Sequence, residues 1–225
     1  MKRRDFLAAA AAAPQPAPRK KSWRPLFNGR TLEGWEPRGN GIWLVWADGT
    51  LAGQRNPRRD YPAQGFADRK LYQAWLDTQA WLYTKEEFGE YDLHVEYWLP
   101  EGGNSGISLR DPSRAAHAIV TPPDFRRTPS KLGYEIQLNH KYPDEYPSGS
   151  IYTFVKAKTG VQKDGQWNAL DIEVRGDRLA VKLNGVMVAE SATDPPRPKR
   201  GPVGLQLHDQ FSFALFRNIR IRELK

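Results

Sequence analysis

The chain has 225 residues, a formal charge of +8, 18 Pro, 19 Gly, eight Trp, nine Tyr, nine Phe and no Cys. Apolar residues at 39% and charged residues at 27% allow a sizeable core and exclude global disorder. The missing Cys excludes a disulfide framework, a thiolate nucleophile and Cys-ligated zinc, and no run of eighteen apolar residues offers a membrane-spanning helix.

Residues 1–13 open with Lys2, Arg3 and Arg4, then Phe6-Leu7 and an Ala run, the layout of a bacterial export signal. The Arg3-Arg4-Asp5-Phe6-Leu7 stretch is similar to a twin-arginine signal, an address read by a receptor, so a periplasmic or secreted destination is expected. Removing residues 2–5 takes away three positive charges and one negative, so +8 becomes +6. Residues 14–22 are Pro-rich and basic and read as a linker, which leaves 23–225 as one domain.

From Trp23 onward turn signals recur and helical periods are few. Arg55 to Gln79 is polar, with a short helix expected over Ala67–Trp75. Tyr91 to Tyr97 alternates, placing Tyr91, Leu93, Val95 and Tyr97 on one face and Asp92, His94 and Glu96 on the other. A turn at Gly102-Gly103-Asn104 precedes a strand over Gly106–Arg110, and the Pro-rich stretch from Asp111 to Leu132 reads as a long surface loop. Tyr134 to Asn139 alternates again. Leu170–Val174, a Gly176-Asp177 turn and Leu179–Leu183 form a hairpin, followed by strands over Val203–Leu207 and Phe213–Leu224. Such strands without intervening helices predict an all-β fold, a sandwich or jelly roll of two antiparallel sheets.

Basic residues are scattered among acids and form neither a basic helix nor an aromatic–basic strand, so no nucleic-acid partner is expected. The four His (94, 117, 140 and 208) lack His-x-x-x-His spacing; a site assembled in space from His140 or His208 with carboxylates stays open. Asn104-Ser105-Gly106 is not a Gly-x-Ser-x-Gly nucleophile elbow.

Glu135-Ile-Gln-Leu-Asn139 is more informative. It is similar to the Glu-x-Asp-x-Glu strand of retaining jelly-roll glucanases, but Gln137 and Asn139 stand where the further carboxylates would be. Amides cannot form a glycosyl ester or exchange a proton, so ordinary retaining hydrolysis is disfavoured. Glu135, Gln137 and Asn139 share a face, Arg110 shares the parity of Asn104, and Gln206 and His208 share a face opposite Leu205 and Leu207. A surface collecting Glu, Gln, Arg, His and Asn suits a polyhydroxylated ligand, whose hydroxyls each need a donor and an acceptor.

Several motifs carry a family resemblance. Pro25-Leu-Phe-Asn-Gly-Arg-Thr-Leu-Glu-Gly-Trp35, Trp81-Leu-Tyr-Thr84, Phe88-Gly-Glu-Tyr-Asp-Leu93, Gly103-Asn-Ser-Gly-Ile107 with Arg110, and Gly133-Tyr-Glu-Ile-Gln137 come first. Ser148-Gly-Ser-Ile-Tyr152, Gly165-Gln-Trp-Asn168, Leu183-Asn-Gly185, Gly201-Pro-Val-Gly-Leu-Gln206, His208 and Phe216-Arg-Asn-Ile219 follow in order. Together they resemble the 3-keto-disaccharide hydrolase domain family across nearly all of residues 23–225. The stretches 55–79 and 111–132 are longer than usual, and Asp209-Gln210-Phe211 replaces the Gly expected after the His.

The resemblance implies a concanavalin A-like jelly roll and action on glycosides already oxidised at C3. A C3 ketone acidifies the C2 proton, so one base, an enolate stabiliser and a leaving-group acid suffice. With it, Glu135 and His208 become candidate acid/base residues, and Arg110 with Gln137 candidate oxyanion stabilisers. Asn104, Ser105, Asn139 and Gln206 are candidate substrate contacts. No nucleotide or organic cofactor is expected, whereas a divalent cation could take the stabiliser's place. The competing expectation is a lectin-like module that holds glycans without turnover.

Overall fold

A computed structural model describes residues 21–56, 69–70, 78–191, 197–208 and 212–224. Among these described residues thirteen strands form two antiparallel sheets, as the alternation predicts. The larger sheet runs β11 (Val186–Ser191), β10 (Arg178–Leu183), β9 (Asn168–Arg175), β6 (Tyr91–Trp98), β13 (Phe213–Glu223), β4 (Leu51–Arg55) and β3 (Gly41–Val45), with β1 (Arg24–Pro25) also paired to β13. The smaller runs β2 (Trp35–Gly39), β5 (Ala80–Thr84), β12 (Val203–Leu207), β7 (Gly103–Leu109) and β8 (Tyr134–His140). The signal and most of the linker lie outside the described residues. So does most of the helix expected over 67–75, of which only Arg69 and Lys70, both helical, are described. Among the described residues no helix is long and apolar enough to cross a membrane.

One core cluster joins the sheets. Tyr91, Leu93, Val95 and Tyr97 of β6 and Leu170, Ile172 and Val174 of β9 face inward from one side. Ile107 and Leu109 of β7, Tyr134, Ile136 and Leu138 of β8, and Val203, Leu205 and Leu207 of β12 meet them from the other. Alternation then sends the intervening residues outward. The register pairs Ser108 with Glu135, Gly106 with Gln137 and Asn104 with Asn139, while Gly204 and Gln206 pair with Tyr83 and Trp81. The outer face of the smaller sheet therefore collects polar side chains on β7, β8 and β12 and two large aromatics on β5.

Those aromatics are covered. Trp81 and Tyr83 stack 5.6 Å apart and are sealed beneath Ala115 and Ala118, all four buried. The stretch from Asp111 to Leu132 is thus a lid on half of the sheet as well as a surface segment. Asp111 latches it: Oδ2 accepts from the Tyr83 hydroxyl at 3.1 Å and the Ala115 N–H at 2.8 Å, and Oδ1 accepts from the Ser113 N–H and hydroxyl. Burial, reinforced by the Asp111 charge, holds the Tyr83 phenol well above its ordinary pKa. Asp111→Ala removes these acceptors and is expected to cost about 2–3 kcal/mol. Thermal melts would register that loss, and limited proteolysis should show new cleavage within 112–120.

Candidate active site

The other half of the outer face, over β7, β8 and β12, holds a cavity of about 290 Å³. Glu135 and Gln137 from β8, Gln206 from β12 and His208 just beyond it line this cavity. Four of the eight sequence-predicted site residues therefore meet in one place. Strand parity accounts for Glu135, Gln137 and Gln206, and the His208 ring packs edge-on with that of Tyr142, centroids 5.4 Å apart.

The other four do not line it. Ser105 pairs with Leu138 and shares its inward face; its hydroxyl donates to the Gln206 carbonyl at 2.7 Å. Arg110 fails for a different reason. β7 ends at Leu109, and Arg110 takes a left-handed conformation with φ 59°, so strand parity no longer applies. Its buried guanidinium donates to the Gly89 and Gly176 carbonyls, at 3.1 Å from Nε and 2.6 Å from Nη1. Asn139 has the expected parity but braces the following loop, its Oδ1 accepting from the Tyr142 N–H at 2.9 Å and its Nδ2 donating to the Tyr142 carbonyl. Asn104 is buried on the correct face outside the cavity, with neither side-chain polar atom hydrogen-bonded among the described residues.

Loops complete the pocket with residues that sequence reading missed. A short helix, Pro129–Leu132, and the 3-10 turn Phe125–Arg127 before it bring Lys131 and the exposed Phe125 to the rim. Lys131 is the only lysine or arginine among the described residues lining the cavity. Asp144 and Tyr152 come from the segment after β8. The Tyr152 hydroxyl donates to Asp144 Oδ2 at 3.3 Å, and the Tyr146 N–H donates to Oδ1 at 2.7 Å. A second carboxylate is therefore present near Glu135, although not on its strand.

Glu135 is 5% exposed. Burial raises its carboxyl pKa to about 8, with the Asp144 and Asp111 charges adding to the rise and a hydrogen bond from the Gln206 side chain opposing it. The carboxyl occupies space left by a missing side chain: a Cβ on Gly106 would lie 2.5 Å from Glu135 Oε1 and 3.0 Å from Gln206 Oε1. That Gln206 oxygen is buried without a hydrogen-bond partner among the described residues, as expected of a group waiting for a ligand donor. No three His, Asp or Glu among the described residues are grouped to hold a metal ion. The divalent cation left open by the sequence finds no such ligand set among the described residues.

Residues 22–222 match the family described as the 3-keto-alpha-glucoside-1,2-lyase-like domain. The chain belongs to this family. None of the curated proteins matches the chain. Two solved structures of Parabacteroides distasonis, both provisionally named glycosyl hydrolases, are similar at 18% and 25% identity with TM-scores of 0.62 and 0.61. Each alignment covers 90% of this chain, and 94% and 100% of the respective neighbour. A lectin of Bauhinia forficata in complex with GalNAc shares the fold at 9% identity and TM-score 0.53, over 91% of this chain and 98% of its own. The 3-keto-alpha-glucoside-1,2-lyase-like domain found here is a concanavalin A-like sandwich with a carbohydrate-related function.

Proposed function

We propose that this domain cleaves glycosides already oxidised at C3, by elimination followed by hydration, in the Glu135 pocket. The observation that carries the reading is one buried carboxyl, displaced to a pKa of about 8, facing amides where its strand would otherwise supply further carboxylates. A group poised near neutral pH suits proton transfer.

His208 takes the C2 proton, and the electron pair moves toward the C3 carbonyl. The Lys131 ammonium and the Gln137 amide stabilise the oxygen there, in the place first assigned to Arg110. As the carbonyl re-forms, a C1=C2 double bond appears and the C1–O bond breaks; Glu135 gives its proton to the departing oxygen. Water then adds across the double bond, hydroxyl to C1 and proton to C2. The twin-arginine-like start supports an exported setting for this reaction.

Incubation of the purified protein with a 3-keto-glucoside should yield free aglycone, with a primary isotope effect when C2 carries deuterium. The unmodified glucoside should be inert. Equal cleavage of the unmodified glucoside would refute the elimination route. Binding of the 3-keto compound without product would leave the lectin-like reading. Because Glu135 acts in its protonated form, turnover should fall about tenfold for each pH step above 8. A pH–rate profile checks this.

Lys131→Met tests the stabiliser. Removing one charge from a developing oxyanion should lower kcat by roughly 10²-fold with a smaller change in KM. Steady-state kinetics on the 3-keto-glucoside would separate this from a simple loss of binding.

A further inference from the structure

The larger sheet carries a second and bigger cavity, of about 490 Å³, between β1, the bulged stretch of β13 and the turns around Asn28 and Asp48. It lies within the size range of small-molecule sites, about 300–1,000 Å³, and shares no lining residue with the Glu135 pocket. Its charged lining is Arg24, Arg217 and Arg220 against Asp48, so three positive charges meet one negative.

Two of these arginines are already engaged. Arg24 pairs with Glu86 at 2.7 Å, and Arg217 pairs with Glu96 at 2.7 Å while stacking on Trp167. Arg220 differs: it is exposed, its guanidinium lies 5.5 Å from the Trp23 ring centre, and no carboxylate reaches it within 4.0 Å among the described residues. Trp23 is itself held in place. Arg222 stacks on it at 4.7 Å and is anchored on Asp92 Oδ2 by contacts of 2.9 and 2.5 Å. A 37% exposed indole beside an unpaired guanidinium is thus presented in a fixed orientation. Trp23 also borders another cavity, lined by Asp92, Asp171 and Glu173 together with Lys182 and Arg222, and the Arg220 charge helps to lower the Asp171 pKa from beyond ion-pair distance.

We propose that this cavity is a second ligand site, taking an acidic saccharide whose ring packs on Trp23 and whose anionic group forks onto Arg220. Aromatic faces suit sugar rings, and a guanidinium offers two parallel donors to a carboxylate or sulfate. The site binds without cleaving: Asp48, the one carboxylate among its described lining residues, accepts the Thr50 N–H at 2.9 Å, which lowers its pKa and leaves it a poor proton donor. It is independent of the reaction at Glu135.

Calorimetric titration of the full chain with a uronate-containing oligosaccharide, a sulfated one and a neutral one of equal length tests this. At least one acidic ligand should bind, with affinity falling as salt rises, and the neutral one at least tenfold more weakly. Arg220→Ala and Trp23→Ala should each weaken binding about tenfold, one charge-assisted contact or one ring platform. Asp48→Asn keeps the turn acceptor, removes the opposing charge and should tighten binding a few-fold, a gain that misfolding cannot mimic. Glu135→Gln should leave this affinity unchanged. Whichever acidic ligand binds identifies the anionic group. No binding by either, equal binding of the neutral ligand, full competition by inorganic sulfate alone, or loss on Glu135→Gln would each overturn the proposal.

Discussion

Glu135→Gln should abolish turnover and stabilise the protein at the same time. On the catalytic side, a residue that delivers the leaving-group proton contributes roughly 10²–10⁴-fold, so kcat on a 3-keto-glucoside should drop into that range. On the stability side, the carboxyl titrates at about 8 in the folded chain against an ordinary 4.5. Between those values the folded state holds a proton that the unfolded state has released. Stability therefore falls as pH rises through this window and levels off above 8. Glutamine is a neutral isostere, fits over Gly106 and still offers an oxygen to the Gln206 side chain. The variant should melt with the wild type near pH 4 and gain on the order of 4–5 kcal/mol by pH 8, about 8–20 °C for a domain of this size. Melting curves at pH 4, 6 and 8 measure the gain. A parallel pH dependence of the two proteins would show that Glu135 ionises normally, and would remove the basis for its role as an acid.

The strands legible in the sequence were those with a clean inside–outside alternation. Tyr91 to Tyr97, Leu170 to Leu183 and Tyr134 to Asn139 each have one face in the core and one outside it, and register follows from that contrast. The stretch from Trp35 to Arg55 gave no such signal. Pro37 and Gly39 interrupt β2, which tolerates them as the edge strand of its sheet. In β4, Gly53 lies where a Cβ would meet the Trp43 ring at 2.5 Å, so packing demands a residue that propensity would place in a turn. The site divides along the same line. Glu135, Gln137 and Gln206 are fixed by parity. Ser105 was open to exclusion by the same rule, since it alternates with Ile107 and Leu109. Lys131, Asp144 and Tyr152 arrive on loops whose path depends on contacts far apart in sequence, such as the Arg197 side chain donating to the Ser130 carbonyl at 2.9 Å. No local pattern encodes those meetings.

Arg110 is the residue for which parity misled, and replacing it has the second large expected effect. Its side chain is 1% exposed and bridges the Gly89 turn to the Gly176 hairpin turn through backbone carbonyls. Its own backbone is packed so closely that a Cβ on Gly201 would lie 2.7 Å from the Arg110 Cα, and one on Gly133 would lie 2.8 Å from its carbonyl carbon. The motif glycines at 133 and 201 and the motif arginine therefore form one structural knot at the end of β7, away from the reacting groups. Arg110→Met keeps much of the apolar stem but strips the donors from two carbonyls. Leaving such acceptors unpaired should cost about 3 kcal/mol, lowering Tm by about 6–12 °C. Below that lowered Tm, kcat on a 3-keto-glucoside should stay within about threefold of wild type, because no group touching the substrate is changed. An oxyanion stabiliser would behave oppositely, with Tm nearly intact and kcat down roughly 10²-fold or more. Melting and kinetics on the same preparation discriminate the two, and Arg110→Lys sharpens the contrast. A lysine restores one charge but cannot span both carbonyls as the guanidinium fork does. It should recover little of the lost stability, whereas a purely electrostatic role at the reacting oxygen would be largely rescued.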